Sequence, residues 1–183
     1  HYYRERSRGK IGLTDENREA IYYQRFGESA FKSGFSSEAV ELYKKALKLV
    51  TEKNDPKRIA ELNDRIALAY QDGGQYAKAV EYFSRTLELH QETGNTASIS
   101  RSLRNIANNL FSLNQEKESQ DTKSLNLALG HYFQAIENLE KYGTGKKAKE
   151  KSALIDVNIE TALDADASQA ATGFDKVGEQ KLI

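Results

Sequence analysis

The stretch SRSLRNIANNL, Ser100 to Leu110, sets Arg101, Arg104, Asn105 and Asn108 within about two turns of a helix. An Asn amide carries donors and an acceptor together, so it pairs with a peptide group whatever side chain that residue bears. Arg adds forked, charge-assisted contacts to carboxylates. The chemistry open to such a set is the gripping of another polypeptide. Bond-breaking chemistry has no comparable support. The chain has no Cys, which removes disulfides, thiolate zinc sites and cysteine nucleophiles. His1, His90 and His131 form no metal-binding pair at helical spacing, and there is no Gly-x-Ser-x-Gly elbow or His-centred triad. YGTGKKAKEK, Tyr142 to Lys151, looks like a phosphate loop, but that pattern needs Gly where Glu140 stands and Ser or Thr where Lys147 stands. It reads as a basic connector. No enzyme activity, cofactor or metal is expected.

The elements that position these side chains must be built from 183 residues, of which 38% are hydrophobic and 30% charged. Such a balance favours a thin, much-exposed core, with 10 Tyr and 7 Phe still to be buried. Lys and Arg number 27 against 27 Asp and Glu, so no overall field holds a polyanion, and nucleic acid is not an expected partner. No apolar run approaches the roughly 18–20 residues that span a bilayer, so a soluble piece without a membrane segment is expected. Residues 1–13, with Arg4, Arg6, Arg8 and Lys10 beside Tyr2 and Tyr3, form a basic N-terminal segment read as a tail. The chain opens at His1 rather than Met, which reads as a fragment, a processed form or an engineered variant.

An internal repeat organises the remainder. Three segments, from Phe26, Ile66 and Ile106, each open with an apolar residue followed by a small one: Gly27, Ala67, Ala107. Their separation, about 40 residues, is a period of helical repeat arrays. The second halves carry Ala39/Tyr43/Ala46, Ala79/Phe83/Thr86 and Ala128/Tyr132/Ala135. Steps of four and three put each trio on one stripe of a helix. A helix is predicted from Thr14 to Lys32, Asp55-Pro56 predicts a capped helix start, and Gly34, Gly73-Gly74 and Asn114 predict the turns inside the pairs. Units are therefore expected at about 14–52, 55–93 and 96–143, the last with a polar insertion near 115–124. A fourth is expected at 146–183, with Leu154 and Val157 facing inward.

Tyr23, Phe26, Gly27, Gly34, Ala39, Tyr43 and Ala46 in the first unit, with Ile66, Ala67, Tyr70, Gly74, Tyr76, Ala79 and Phe83 in the second, carry a pattern that resembles the tetratricopeptide repeat family. The resemblance implies an all-α fold of antiparallel helix pairs stacked in a right-handed superhelix. In such arrays the first helix of every pair lines the concave side. Projection places Gln24, Arg25 and Glu28 there from the first unit, Asp64 and Arg65 from the second, and Arg101, Arg104, Asn105 and Asn108 from the third. These are the candidate peptide-binding residues; the fourth unit adds Ile155, Asp156 and Ile159 to the same side.

Ser100 to Leu110 is similar to the first helices of kinesin-light-chain-type and spindle-orientation adaptor repeats, where asparagines at the positions of Asn105 and Asn108 hold an extended peptide backbone. The terminal-carboxylate clamp of some family members is not matched. Gln24 and Glu28 stand at its first-unit Lys and Asn, and Arg65 stands at its second-unit Asn. The implied function is a non-catalytic protein–protein interaction module that binds an extended, acidic or mixed segment of a partner protein in the concave groove. The alternative is a regulatory or assembly domain that packs through convex or end surfaces, or self-associates through an uncapped last repeat. Replacing Asn105 and Asn108 together by Ala is expected to weaken partner binding with little change in melting.

Overall fold

The computed structural model describes residues 15–52, 54–116, 122–142, 155–156 and 158–164, and among them there are helices, turns and no strand. Six helices follow in order: α1 (Asp15–Lys32), α2 (Ser36–Thr51), α3 (Pro56–Asp72), α4 (Tyr76–Glu92), α5 (Thr96–Glu116) and α6 (Thr122–Tyr142). They pack chiefly on their sequence neighbours, as hairpins α1/α2, α3/α4 and α5/α6 joined through α2–α3 and α4–α5 contacts. The basic N-terminal segment, the centre of the polar insertion and most of the fourth unit lie outside the described residues.

Local chemistry sets the helix ends. Gly34, Gly74 and Gly94 have φ of +81°, +69° and +65°, the left-handed conformation that glycine reaches without Cβ strain. The amides just after them, of Phe35, Gln75 and Asn95, donate back to the carbonyls of Ala30, Tyr70 and His90 at 2.9, 2.8 and 2.9 Å, closing each preceding helix. Asp55 caps α3 by accepting from the Arg58 amide at 3.1 Å, and Pro56 fills the first turn, where its missing N–H leaves no bond unmade.

Asn114, expected at a turn, instead lies inside α5 and is fully buried. It stands where the earlier hairpins have Gly34 and Gly74. Without a glycine to enter the left-handed conformation the helix continues, and α5 reaches 21 residues against 18 in α1 and 17 in α3.

The core is the three predicted stripes. Ala39, Tyr43 and Ala46, then Ala79, Phe83 and Thr86, then Ala128, Tyr132 and Ala135 are all buried between helices. Gly27 on α1 meets the face of Tyr43 on α2 so closely that a Cβ there would lie 2.7 Å from two ring carbons. A small residue at this place lets the two rods approach, and Ala67 and Ala107 do the same in the next hairpins, both fully buried.

The first hairpin differs from the others on its outer side. Leu62 and Ile66 of α3 are covered by the hairpin before them, whereas Tyr22 and Phe26, at the matching places of α1, are 56% and 49% exposed. Their rings touch in a tilted pair, 39° apart, with centroids 4.3 Å from each other.

Beyond α6, residues 155–156 and 158–164 are helical, while Leu154 and Val157, expected to face inward, lie outside the described residues. Ile155, Ile159 and Ala162 are buried, so the two isoleucines face the core and not the ligand side. Steps of four and three put them on one stripe, and Ile155 lines a cavity shared with Ala97 of α5. Asp156 is exposed.

Candidate functional site

Helices α1, α3 and α5 are the first members of their hairpins, and their polar side chains reach across to one another. Gln24 Nε2 donates to Glu28 Oε1 at 3.3 Å and to Glu61 Oε1 at 3.5 Å. Arg65 pairs with Glu28 at 3.0 Å and with Glu61 at 3.0 Å. Arg101 donates to Asp64 Oδ2 at 3.0 Å. Farther along, Asn109 Nδ2 donates to Gln71 Oε1 at 3.2 Å. A polar ladder thus runs from α1 over α3 to α5, and five of the nine expected peptide-binding residues are engaged within it.

Asn108 is engaged as well, in the opposite direction. Its Oδ1 accepts from the Tyr132 hydroxyl at 2.6 Å and from Asn158 Nδ2 at 3.3 Å. Tyr132 is only 2% exposed, so this amide holds a buried phenol. The expectation that Asn108 is replaceable without cost to the fold is therefore corrected, because its loss orphans a buried donor. Three residues remain. Arg25 is exposed, while Arg104 and Asn105 are half-buried. Among the described residues the Arg104 guanidinium has no hydrogen bond or ion pair, and the Asn105 amide has no hydrogen bond; the Asn105 carbonyl accepts from Asn109 Nδ2 at 2.8 Å.

The ladder perturbs its titratable groups. Burial raises the Asp64 carboxyl above its ordinary range, opposed by the Arg101 charge and by Thr86. Burial also works against the Arg65 charge, but Glu61 and Glu28 outweigh it and hold its pKa up. His90, facing Asp64 and Arg101, is lowered chiefly by burial. Burial pushes Tyr132 up to about 12, with the Arg104 charge pulling the other way.

Ala97, Ser100, Arg101, Arg104, Leu139 and Ile155 enclose a cavity of about 60 Å³ between α5, α6 and the helical residues after α6. No group of three or more His, Cys, Asp or Glu able to hold a metal occurs among the described residues, and no helix there is long and apolar enough to cross a membrane.

Sequence projection did not single out Asn109, which is buried against Gln71, or the phenol of Tyr132 as the partner of Asn108. A signal for Asn109 was present, since Asn105 and Asn109 lie one turn apart on the same helix.

The model of the tetratricopeptide repeat family matches residues 58–123. A stretch of 80 residues is 35% identical to Photosystem I assembly protein Ycf3 of Cyanophora paradoxa, covering 44% of this chain and 44% of that protein. The chain therefore spans less than half the length of the curated relatives it matches. Among solved structures, the TPR domain of Arabidopsis FLU superposes with a TM-score of 0.58 at 21% identity, over 69% of this chain and 98% of that one. The first TPR domain of Spaghetti (RPAP3), bound to the HSP90 peptide SRMEEVD, superposes with a TM-score of 0.52 at 19% identity, over 82% and 99%. These structural likenesses establish the fold.

Proposed function

We propose, for a chain whose residues 58–123 belong to the tetratricopeptide repeat family, that the side lined by α1, α3 and α5 binds an extended segment of a partner protein. Protein–protein interaction is the general work of these repeats. The observation that carries the finer reading is the pair Arg104 and Asn105. They stand side by side on a first helix, half-buried, with their guanidinium and amide groups uncommitted among the described residues, while the neighbouring Arg65 and Arg101 are ion-paired. The Asn105 amide has the donor and acceptor needed to pair with a peptide group, and the flanking ladder keeps the helix face rigid around it. No step in this reading requires catalysis.

The HSP90 peptide bound by the RPAP3 domain is a useful control. A clamp for a chain terminus would need free cationic and amide groups where Gln24, Glu28 and Arg65 stand, yet those three are bonded to one another and to Glu61. SRMEEVD should therefore bind no better than the same peptide with an amidated terminus.

The test uses fluorescence anisotropy with binders selected from an array of end-blocked peptides. Asn105→Ala should weaken every selected binder about tenfold, a loss of about 1.4 kcal/mol, and leave the melting temperature unchanged. Unaltered affinity would remove the groove from consideration.

A second reading rests on Tyr22 and Phe26, an exposed aromatic pair on the outer side of α1, where the next hairpin has its counterparts buried. Such a face suits an assembly role, the kind named for the Ycf3 relative. Light scattering across a concentration series should then show association that Tyr22→Ser with Phe26→Ser abolishes; a monomer at every concentration refutes the self-association form of this reading.

A further inference from the structure

Ala97, Ser100, Arg101, Arg104 and Asn108 follow one another at steps of three, one, three and four, so they share one face of α5. Two chemistries meet on that face. At its middle stands Arg104, without an acid partner among the described residues, while Arg101 is held by Asp64 at 3.0 Å. Toward its start is the 60 Å³ cavity, walled by Ala97, Leu139 and Ile155, with Arg101 and Arg104 at its rim. The polar atom nearest to hand is already used, because Ser100 Oγ accepts from Asn138 Nδ2 at 2.6 Å. Water in such a cavity finds few partners, and an aliphatic group displaces it favourably.

We propose that this pocket is a two-part subsite for the partner segment: Arg104 takes the carboxylate of an Asp or Glu, and an aliphatic side chain two residues away enters the cavity between Ala97, Leu139 and Ile155. The inference rests on the groove reading and gives it a sequence preference. Residues two apart in an extended peptide point to the same side and are separated by about 6.6 Å, so one segment serves both parts. A carboxylate is favoured over a phosphate by the count of cations. A phosphate carries a charge of about −1.5 to −2 at neutral pH and is normally met by several cations, whereas among the described residues one guanidinium is uncommitted beside apolar walls.

The probe is a library of fluorescein-labelled, end-blocked nonapeptides with Glu-x-Val at the centre and random residues on either side, compared with libraries centred on Gln-x-Val, Glu-x-Ser and phosphoserine-x-Val. Glu-x-Val peptides should bind about tenfold more tightly than either of the first two. In Arg104→Gln the preference for Glu over Gln should vanish, with Arg104→Lys retaining part of it because charge remains while the fork is lost. In Ala97→Leu, which fills the cavity from an exposed position, the preference for Val over Ser should vanish and that for Glu should remain. Asn105→Ala should weaken all peptides alike. If peptides bind and respond to Asn105→Ala but do not distinguish Glu from Gln, the subsite is wrong and the groove stands. Tighter binding of phosphoserine than of Glu overturns the carboxylate assignment. If no library binds at all, both the groove and the subsite fall.

Discussion

Asn108→Ala separates a structural amide from a recognition amide. The substitution removes the acceptor of the Tyr132 hydroxyl, a bond of 2.6 Å to a residue 2% exposed. A buried donor left unmatched costs about 1–3 kcal/mol. Asn158, the second donor, is half-buried and can turn to water, so its loss adds little. Ala returns up to about 0.7 kcal/mol through helix propensity. The net loss is about 1–2 kcal/mol, a fall in Tm of about 2–8 °C for a chain of this length. Tyr132→Phe removes the donor instead and should cost about 0.5–1.5 kcal/mol, because Asn108 keeps Asn158. In the double variant no orphaned hydroxyl exists, so the loss should fall short of the sum of the singles by about 1 kcal/mol. Urea unfolding followed by far-UV circular dichroism measures all three, with Asn105→Ala as a control expected within about 0.5 kcal/mol of the parent. Additive losses would mean that the Asn108–Tyr132 bond contributes nothing. The same cycle decides which asparagine can be used to probe partner binding, since only a variant with unchanged stability reports on the groove.

Gly27→Ala sets two known effects against each other: helix propensity favours Ala by about 1 kcal/mol, and overpacking against a buried ring costs about 1–3. With the added Cβ 2.7 Å from the Tyr43 ring, the steric term should win and Tm should fall by a few degrees; a stabilised variant refutes the close approach. Tyr43→Ala and Phe83→Ala should each cost about 3–5 kcal/mol in urea unfolding, and small losses at both would break the assigned packing. His90, whose pKa burial holds below its ordinary 6.5 in the folded chain, takes up its proton more readily when unfolded. Stability from this group is therefore present above about pH 6.5 and lost as pH falls through its lowered pKa, so His90→Gln should flatten the decline in Tm between about pH 7 and 5. Asp64, raised by burial, works in the opposite sense, and an identical pH profile in both proteins would dismiss the His90 contribution.

The hairpins were legible in the sequence because each forty-residue unit states its own requirements locally. A small residue on one helix and a large ring on the next mark each pair, with a glycine between them in the first two. The ends of that legibility have physical causes. Asn114 reads as a turn because asparagine favours turns, but asparagine also tolerates a helix interior, and here the residue is buried within α5. After α6, Ile155 and Ile159 fit either side of a helix pair, and only what packs against them puts them in the core.

The site shows the same division between what a residue is and what it meets. Arg65, Arg101 and Arg104 look alike in the sequence, all cations on first helices. Stacking brings a first-helix side chain against the one 37 positions later, as in Gln24 with Glu61 and Asp64 with Arg101. Arg65 stands at that distance from Glu28 and is neutralised by it. Arg104 stands at that distance from Ala67, the fully buried small residue that lets α3 approach α4. Packing of the second hairpin therefore leaves no room for an acid at that place on α3, so α3 gives Arg104 no counterpart of the Glu28 that neutralises Arg65. Ala67→Asp would place a carboxylate in the core rather than beside Arg104, and should unfold the array before it neutralised the groove.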